Sequence, residues 1–99
     1  MRRAAKVDDN HGEIVKAFRK AGATVKPVHQ LKGFVDILVG YRGVDQLVEI
    51  KDGNKPPSQQ KLTPDEEKFW AMWKGREPVI VKSLDEVPEV LKNMTSYNH

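Results

Sequence analysis

Apolar residues recur at helical spacing at Ile14, Ala17, Phe18 and Ala21, between the capping candidates Asp8-Asp9-Asn10 and a closing Gly22. This pattern predicts a first helix of about three turns. Ala23 to His29 surrounds Pro27, which cannot donate to a ladder, and reads as a short strand at a sheet edge. Phe34 to Val39 and Val44 to Ile50 are rich in branched residues and read as two strong strands, joined through Gly40-Tyr41-Arg42-Gly43. Asp52 to Gln60 holds Gly53, Asn54, Pro56 and Pro57 and reads as a loop, extended at its prolines.

Thr63-Pro64-Asp65-Glu66 is a full helix start, with Thr63 as N-cap, Pro64 at the first helical position and Glu66 completing a capping box. Phe69, Trp70 and Trp73 follow as an apolar stripe closed by Gly75, and this spacing predicts core packing for the two tryptophans rather than a base-stacking role. Pro78-Val-Ile-Val81 reads as a short buried strand. Ser83-Leu-Asp-Glu86 offers a second capping box, but Pro88 delays the last helix to about Val87, with its end near Met94. The order is helix, three strands, helix, strand, helix, which is an α/β fold in one domain spanning 1–99.

Composition narrows the setting. A chain of 99 residues can build one core and is near the lower end of comfortable stability for a lone domain. The absence of cysteine removes disulfides and thiolate metal sites and points to a soluble, cytoplasmic protein. No apolar run approaches the roughly 20 residues that cross a bilayer, so no membrane partner is expected. The net charge of +3 is modest, but its distribution is uneven. Basic residues gather at Arg2, Arg3 and Lys6, at Lys16, Arg19 and Lys20, and at Lys51, Lys55 and Lys61, whereas acids crowd into Asp65-Glu66-Glu67 and Asp85 to Glu89. One basic side suits a polyanion bound through its phosphates.

The candidate chemistry lies in the two strong strands. Asp36 interrupts the first, and Glu49-Ile50-Lys51 ends the second, where a plain core would carry apolar residues. Side chains alternate across a strand, so Glu49 and Lys51 share a face. Asp36 joins them only if the turn cooperates. A two-residue turn at Arg42-Gly43 sets Asp36 directly opposite Glu49, a four-residue loop makes them diagonal neighbours, and a three-residue loop turns Glu49 away unless a bulge intervenes. Two carboxylates held that close repel each other unless a cation sits between them, and Mg²⁺ or Mn²⁺ favours such oxygen ligands. Lys51 would then stabilise charge on a phosphate or orient a water. Glu13 borders the first helix's buried stripe, where it could reach the metal from the side or simply favour the helix start. His11 and His29 lack spaced partners and read as structural or surface residues.

These residues resemble the PD-(D/E)xK nuclease superfamily and, within it, the virus-type replication-repair nuclease (VRR-NUC) domain. The likeness is carried by Gly33-Phe-Val-Asp36-Ile-Leu-Val, by Leu47-Val-Glu49-Ile-Lys51, and by Leu62-Thr-Pro-Asp-Glu66 ahead of the aromatic helix and the Pro78 to Val81 strand. The resemblance implies a restriction-endonuclease-like αβββαβ core with a small mixed sheet flanked by helices, followed here by an additional C-terminal helix. It implies Mg²⁺ or Mn²⁺ held by Asp36, Glu49 and the Ile50 carbonyl, Lys51 as catalytic lysine, and Glu13 as the first-helix glutamate near the metal. Family members often carry Gln where Glu66 stands, so an active-site role at that position is in question, with Gln59 or Gln60 as substitutes. Lys16, Lys20, Lys55, Gln59 and Lys61 are the candidate nucleic-acid contacts. Stand-alone domains of this kind look like viral homodimers acting on branched DNA such as four-way junctions, which would place the protein in a host cytoplasm. The alternatives are a nickase or flap nuclease beside a helicase, and a non-catalytic nucleic-acid-binding module.

Overall fold

A computed structural model describes residues 9–97; the basic cluster Arg2, Arg3 and Lys6 and the capping candidate Asp8 lie outside the described residues. The elements are α1 (His11–Lys20), β1 (Thr24–Pro27), β2 (Ile37–Tyr41), β3 (Val44–Ile50), α2 (Pro64–Met72), β4 (Val79–Val81) and α3 (Val87–Ser96). The strands form one mixed sheet in the order β1-β2-β3-β4, antiparallel except for β4, which runs parallel to β3. Its topology is that of a restriction-endonuclease-like fold, a four-stranded mixed sheet flanked by three helices among the described residues.

The β2–β3 reversal takes two residues. Arg42 and Gly43 have φ of 52° and 79°, the type I′ geometry whose twist matches that of the flanking strands. Tyr41 therefore pairs with Val44, Leu38 with Leu47 and Ile37 with Val48. Of the three loop lengths open in the sequence, this is the one that aligns Asp36 with Glu49. The strand itself begins later than Phe34, because the chain is still turning, with Leu31 N bonded to Val28 O and Phe34 N bonded to Leu31 O. It also runs two residues further, through Gly40 and Tyr41.

Alternation then divides the sheet into two faces. Ile37 and Val39 of β2 and Val44, Val48 and Ile50 of β3 pack into a core with Ile14, Val15 and Phe18 of α1 and with Val87, Val90, Leu91 and Met94 of α3. Each such side chain contributes about 1.5–3 kcal/mol when fully buried. Leu47, Glu49 and Lys51 take the alternate positions, on the face opposite α1 and α3. Asn10 stands at the N-cap of α1 without a side-chain cap bond there. Its Nδ2 instead donates to Lys51 O and Lys82 O, tying the start of α1 to the chain just beyond β3 and β4.

Two sequence expectations are corrected. None of the residues of α2 is buried: Phe69 and Trp70 are partly covered and Trp73 is 40% exposed. Phe69 and Trp73 pack against each other and Phe34, and Trp70 lines a separate cleft, because the hydrophobic core occupies the other face of the sheet. The second capping box does not form either. Glu86 Oε1 accepts from Lys82 N and Ser83 Oγ pairs with Asp85, while α3 starts at Val87, where Pro88 fits its first turn.

The turn makes a stability prediction. An L side chain at positive φ costs about 1 kcal/mol, less for Asn, so Arg42→Asn should stabilise the fold by about 0.5–1 kcal/mol and Gly43→Val should destabilise it by at least about 1 kcal/mol. Urea denaturation checks both, and an unchanged midpoint in the two variants would remove the argument for this turn.

Candidate active site

Asp36 sits one residue before β2, where the ladder is already distorted. Its N–H reaches Val48 O at 3.1 Å. Its carboxylate turns across to β3, and Oδ2 accepts a 2.7 Å hydrogen bond from Ile50 N. A charged acceptor on a backbone donor is among the stronger hydrogen bonds, and here it fixes Asp36 against the end of the strand that carries Glu49 and Lys51.

Glu49 is 4% exposed. It lines a cavity of about 260 Å³ with Asp36, His29, Phe34, Asp65 and Glu66. Lys51 Nζ lies 3.8 Å from Glu49 Oε2 and 2.9 Å from Glu66 Oε1. The same Glu66 oxygen accepts from Thr63 N at 2.8 Å, while Glu66 N donates to Thr63 Oγ1. The capping box read from the sequence is thus present, and one of its atoms also grips the lysine. Glu66, whose active-site role the resemblance left in question, lines the cavity and holds the lysine, although its position one turn into a capped helix gave no sign of this second partner.

The electrostatics follow from crowding. Burial first, then the charge of Asp36 and hydrogen bonds in which the Glu49 carboxyl donates to Glu66 and Asp36, push Glu49 up to about 10. Burial works against the Lys51 ammonium too, but the hydrogen bond and charge of Glu66, with the charges of Glu49 and Asp36, outweigh it and raise its pKa. Glu66 is lowered: burial opposes its charge, but bonds from Lys51, the Thr63 backbone and Glu49 prevail. Three carboxyl groups and one lysine therefore keep a proton that a divalent cation would replace. Among the described residues no group of three or more His, Cys, Asp and Glu side chains has a geometry to hold a metal. The donors brought together in this cavity are the two carboxyl groups of Asp36 and Glu49. That is the sparse protein ligand set a magnesium ion commonly accepts when water and phosphate complete its shell.

The other predicted residues lie elsewhere. Glu13 is exposed and lines clefts with Asn10, Asp52 and Asn54 rather than the carboxylate cavity. Its helix covers the opposite face of the sheet, so the expectation of a fourth acidic member is corrected. Lys16 and Lys20 are exposed on the same helix. Lys55 lines one of the Glu13 clefts, Lys61 and Gln59 are exposed in the connection to α2, and Gln60 Nε2 donates to Gly53 O and Lys55 O, which closes that loop on itself. Neither glutamine reaches the cavity that Glu66 lines. His29 does line it, edge-on to His11 with ring centroids 5.1 Å apart. A larger cleft, of about 640 Å³, is lined by Gln46, Trp70, Arg76 and Tyr97 and holds none of the predicted catalytic residues; the chemistry of the donors, not the volume, identifies the site.

No family model and no curated protein matches the chain. Among solved structures it is similar to one described as a VRR_NUC domain, at 25% identity and a TM-score of 0.57, over 83% of this chain and 89% of that chain. The chain has the VRR-NUC fold.

A pH dependence follows from Glu49. In the metal-free protein the unfolded chain releases this proton above about pH 4.5, whereas the folded state holds it to about 10. Folding takes up a proton between those values, so stability falls as pH rises through them. Glu49→Gln should flatten that decline and stabilise the metal-free protein at pH 8 by on the order of 2 kcal/mol. Thermal melts in EDTA between pH 5 and pH 9 measure it, and parallel curves for wild type and variant would contradict the buried neutral carboxyl.

Proposed function

We propose that the protein is a nuclease, specifically a metal-dependent, structure-selective DNA endonuclease acting as a homodimeric Holliday junction resolvase. The observation that carries this reading is the alignment of Asp36 with Glu49 across the β2–β3 hairpin, with Lys51 on the same face. The VRR-NUC fold supports it. Hydrolysis of a phosphodiester needs a water brought in line with phosphorus, relief of the charge that builds on the phosphate oxygens, and a proton for the departing oxygen.

Asp36 and Glu49, with the Ile50 carbonyl, would hold Mg²⁺ or Mn²⁺, which when bound polarises the phosphate and lowers the pKa of a bound water. The rest is the work of the chain. Ile50 N fixes the orientation of Asp36, so no further rotamer freedom is lost when its second oxygen meets a ligand. Lys51, buried and kept charged by the Glu66 that lines the cavity, would stabilise charge on a phosphate oxygen or steer the attacking water. The acidic cavity wall, with Asp36, Glu49, Asp65 and Glu66, would accept an anionic diester only once a divalent cation offsets its charge. A two-fold dimer would offer one such site to each of two strands at a symmetric junction, giving paired nicks.

Asp36→Asn and Lys51→Ala are each expected to lower Mg²⁺-dependent cleavage of a four-way junction at least about a hundredfold while junction binding persists. Cleavage of labelled junction, flap and linear DNA, resolved on denaturing gels, tests this. Full activity in either variant would refute the assigned site. Nicks confined to flaps would leave the nuclease and remove the resolvase, and binding without cleavage under both Mg²⁺ and Mn²⁺ would remove the enzyme.

A further inference from the structure

An apolar surface begins at the wall of the carboxylate cavity. Leu31 and Phe34 both line that cavity. The Phe34 ring meets Phe69 edge-on at 5.1 Å and Trp73 at 6.5 Å, and Phe69 and Trp73 are 5.2 Å apart with their planes tilted by 38°. The cluster runs outward from the catalytic carboxylates and ends in open surface. Leu31 is 59% exposed, Met72 68% and Trp73 40%. Large apolar side chains left uncovered beside a candidate active site usually mark a binding surface.

The Trp73 indole is also held in place. Its Nε1 donates to Arg76 O at 3.1 Å, so the ring's one polar atom is satisfied within the chain. It rests against Gly75, where an added Cβ would come within 2.8 Å of Nε1 and 3.0 Å of Cε2. Only a glycine allows that seat. An exposed ring fixed at its edge, with its polar need already met, offers an apolar area rather than a hydrogen bond. Lys32 lines the adjoining cavity, and exposed Lys68 and Lys74 flank Phe69 and Trp73 in sequence. Apolar rings bordered by cations and continuous with a phosphodiester site match one chemistry, an unpaired nucleobase on a charged backbone.

The geometry points to Trp73, backed by Phe34 and Phe69, as a stacking ledge for an unpaired base of the nucleic-acid substrate, beside the Asp36–Glu49 site at which the scissile phosphate would be cleaved. The inference rests on the nuclease reading and deepens it. A fully paired duplex has no free base face to offer, so the ledge favours branch points, gaps and ends over continuous helix. It acts on substrate choice and is separate from hydrolysis itself.

The test uses the full chain in EDTA with two fluorescent DNAs of equal length, a duplex and the same duplex carrying an unpaired 2-aminopurine. Wild type should bind the second more tightly and quench its 2-aminopurine emission. Trp73→Ala should lose the quenching and about tenfold of affinity for the unpaired-base DNA, while affinity for the duplex changes less than about twofold. Trp73→Phe, which keeps an aromatic face, should recover most of both, and circular dichroism of both variants confirms that they fold. Equal affinities of wild type and Trp73→Ala for the unpaired-base DNA would overturn the ledge. So would conversion of a dimer to a monomer by Trp73→Ala in native mass measurements, because a second copy would then own this face. Junction cleavage by wild type in Mg²⁺ is read separately: its absence counts against the nuclease, and loss of base preference in an active enzyme counts against the ledge alone.

Discussion

A single hydrogen bond, from Ile50 N to Asp36 Oδ2 at 2.7 Å, joins the hairpin's geometry to its chemistry. The assigned β2–β3 ladder stops at Ile37, and although Asp36 N still reaches Val48 O and Asp36 O accepts from Val28 N, those backbone bonds do not aim the carboxylate. The amide at Ile50 does. Ile50 itself stands between Glu49 and Lys51 in the strand, and a single contact therefore registers both acids and the lysine. Without it, the positive-φ turn would still align the strands but not the side chains.

Much of this was legible in the chain. Branched residues on both sides of Arg42-Gly43 marked the hairpin, and strand alternation made the face of Glu49 a question about loop length with three discrete answers. What could not be read was which of the three applied, since Gly40-Tyr41-Arg42-Gly43 contains glycine at both ends and would allow either even loop. Arg42 at positive φ is an unusual occupant, and nothing local announces it. Glu13 failed for a different reason. Helical periodicity shows which residues of α1 are buried, but not which face of the sheet buries them.

Glu66 shows the opposite failure, a correct local reading that was incomplete. Its capping bonds with Thr63 are as the sequence predicts, yet Oε1 also holds Lys51. The helix start and the lysine compete for, and share, one oxygen. Burial of α2 was overestimated because an aromatic stripe is equally suited to a core and to a ledge. Only the position of the core on the far face separates the two.

The alternation along Val44–Ile50 has a historical side. Residues on the core face and residues on the face that carries Glu49 take turns along the same seven positions. Point substitutions can therefore refashion one role while leaving the other untouched, but the gain or loss of a single residue within the strand exchanges the two sets at once. Descendants of such a chain would diversify by replacement and keep their spacing, with length changes confined to the loops.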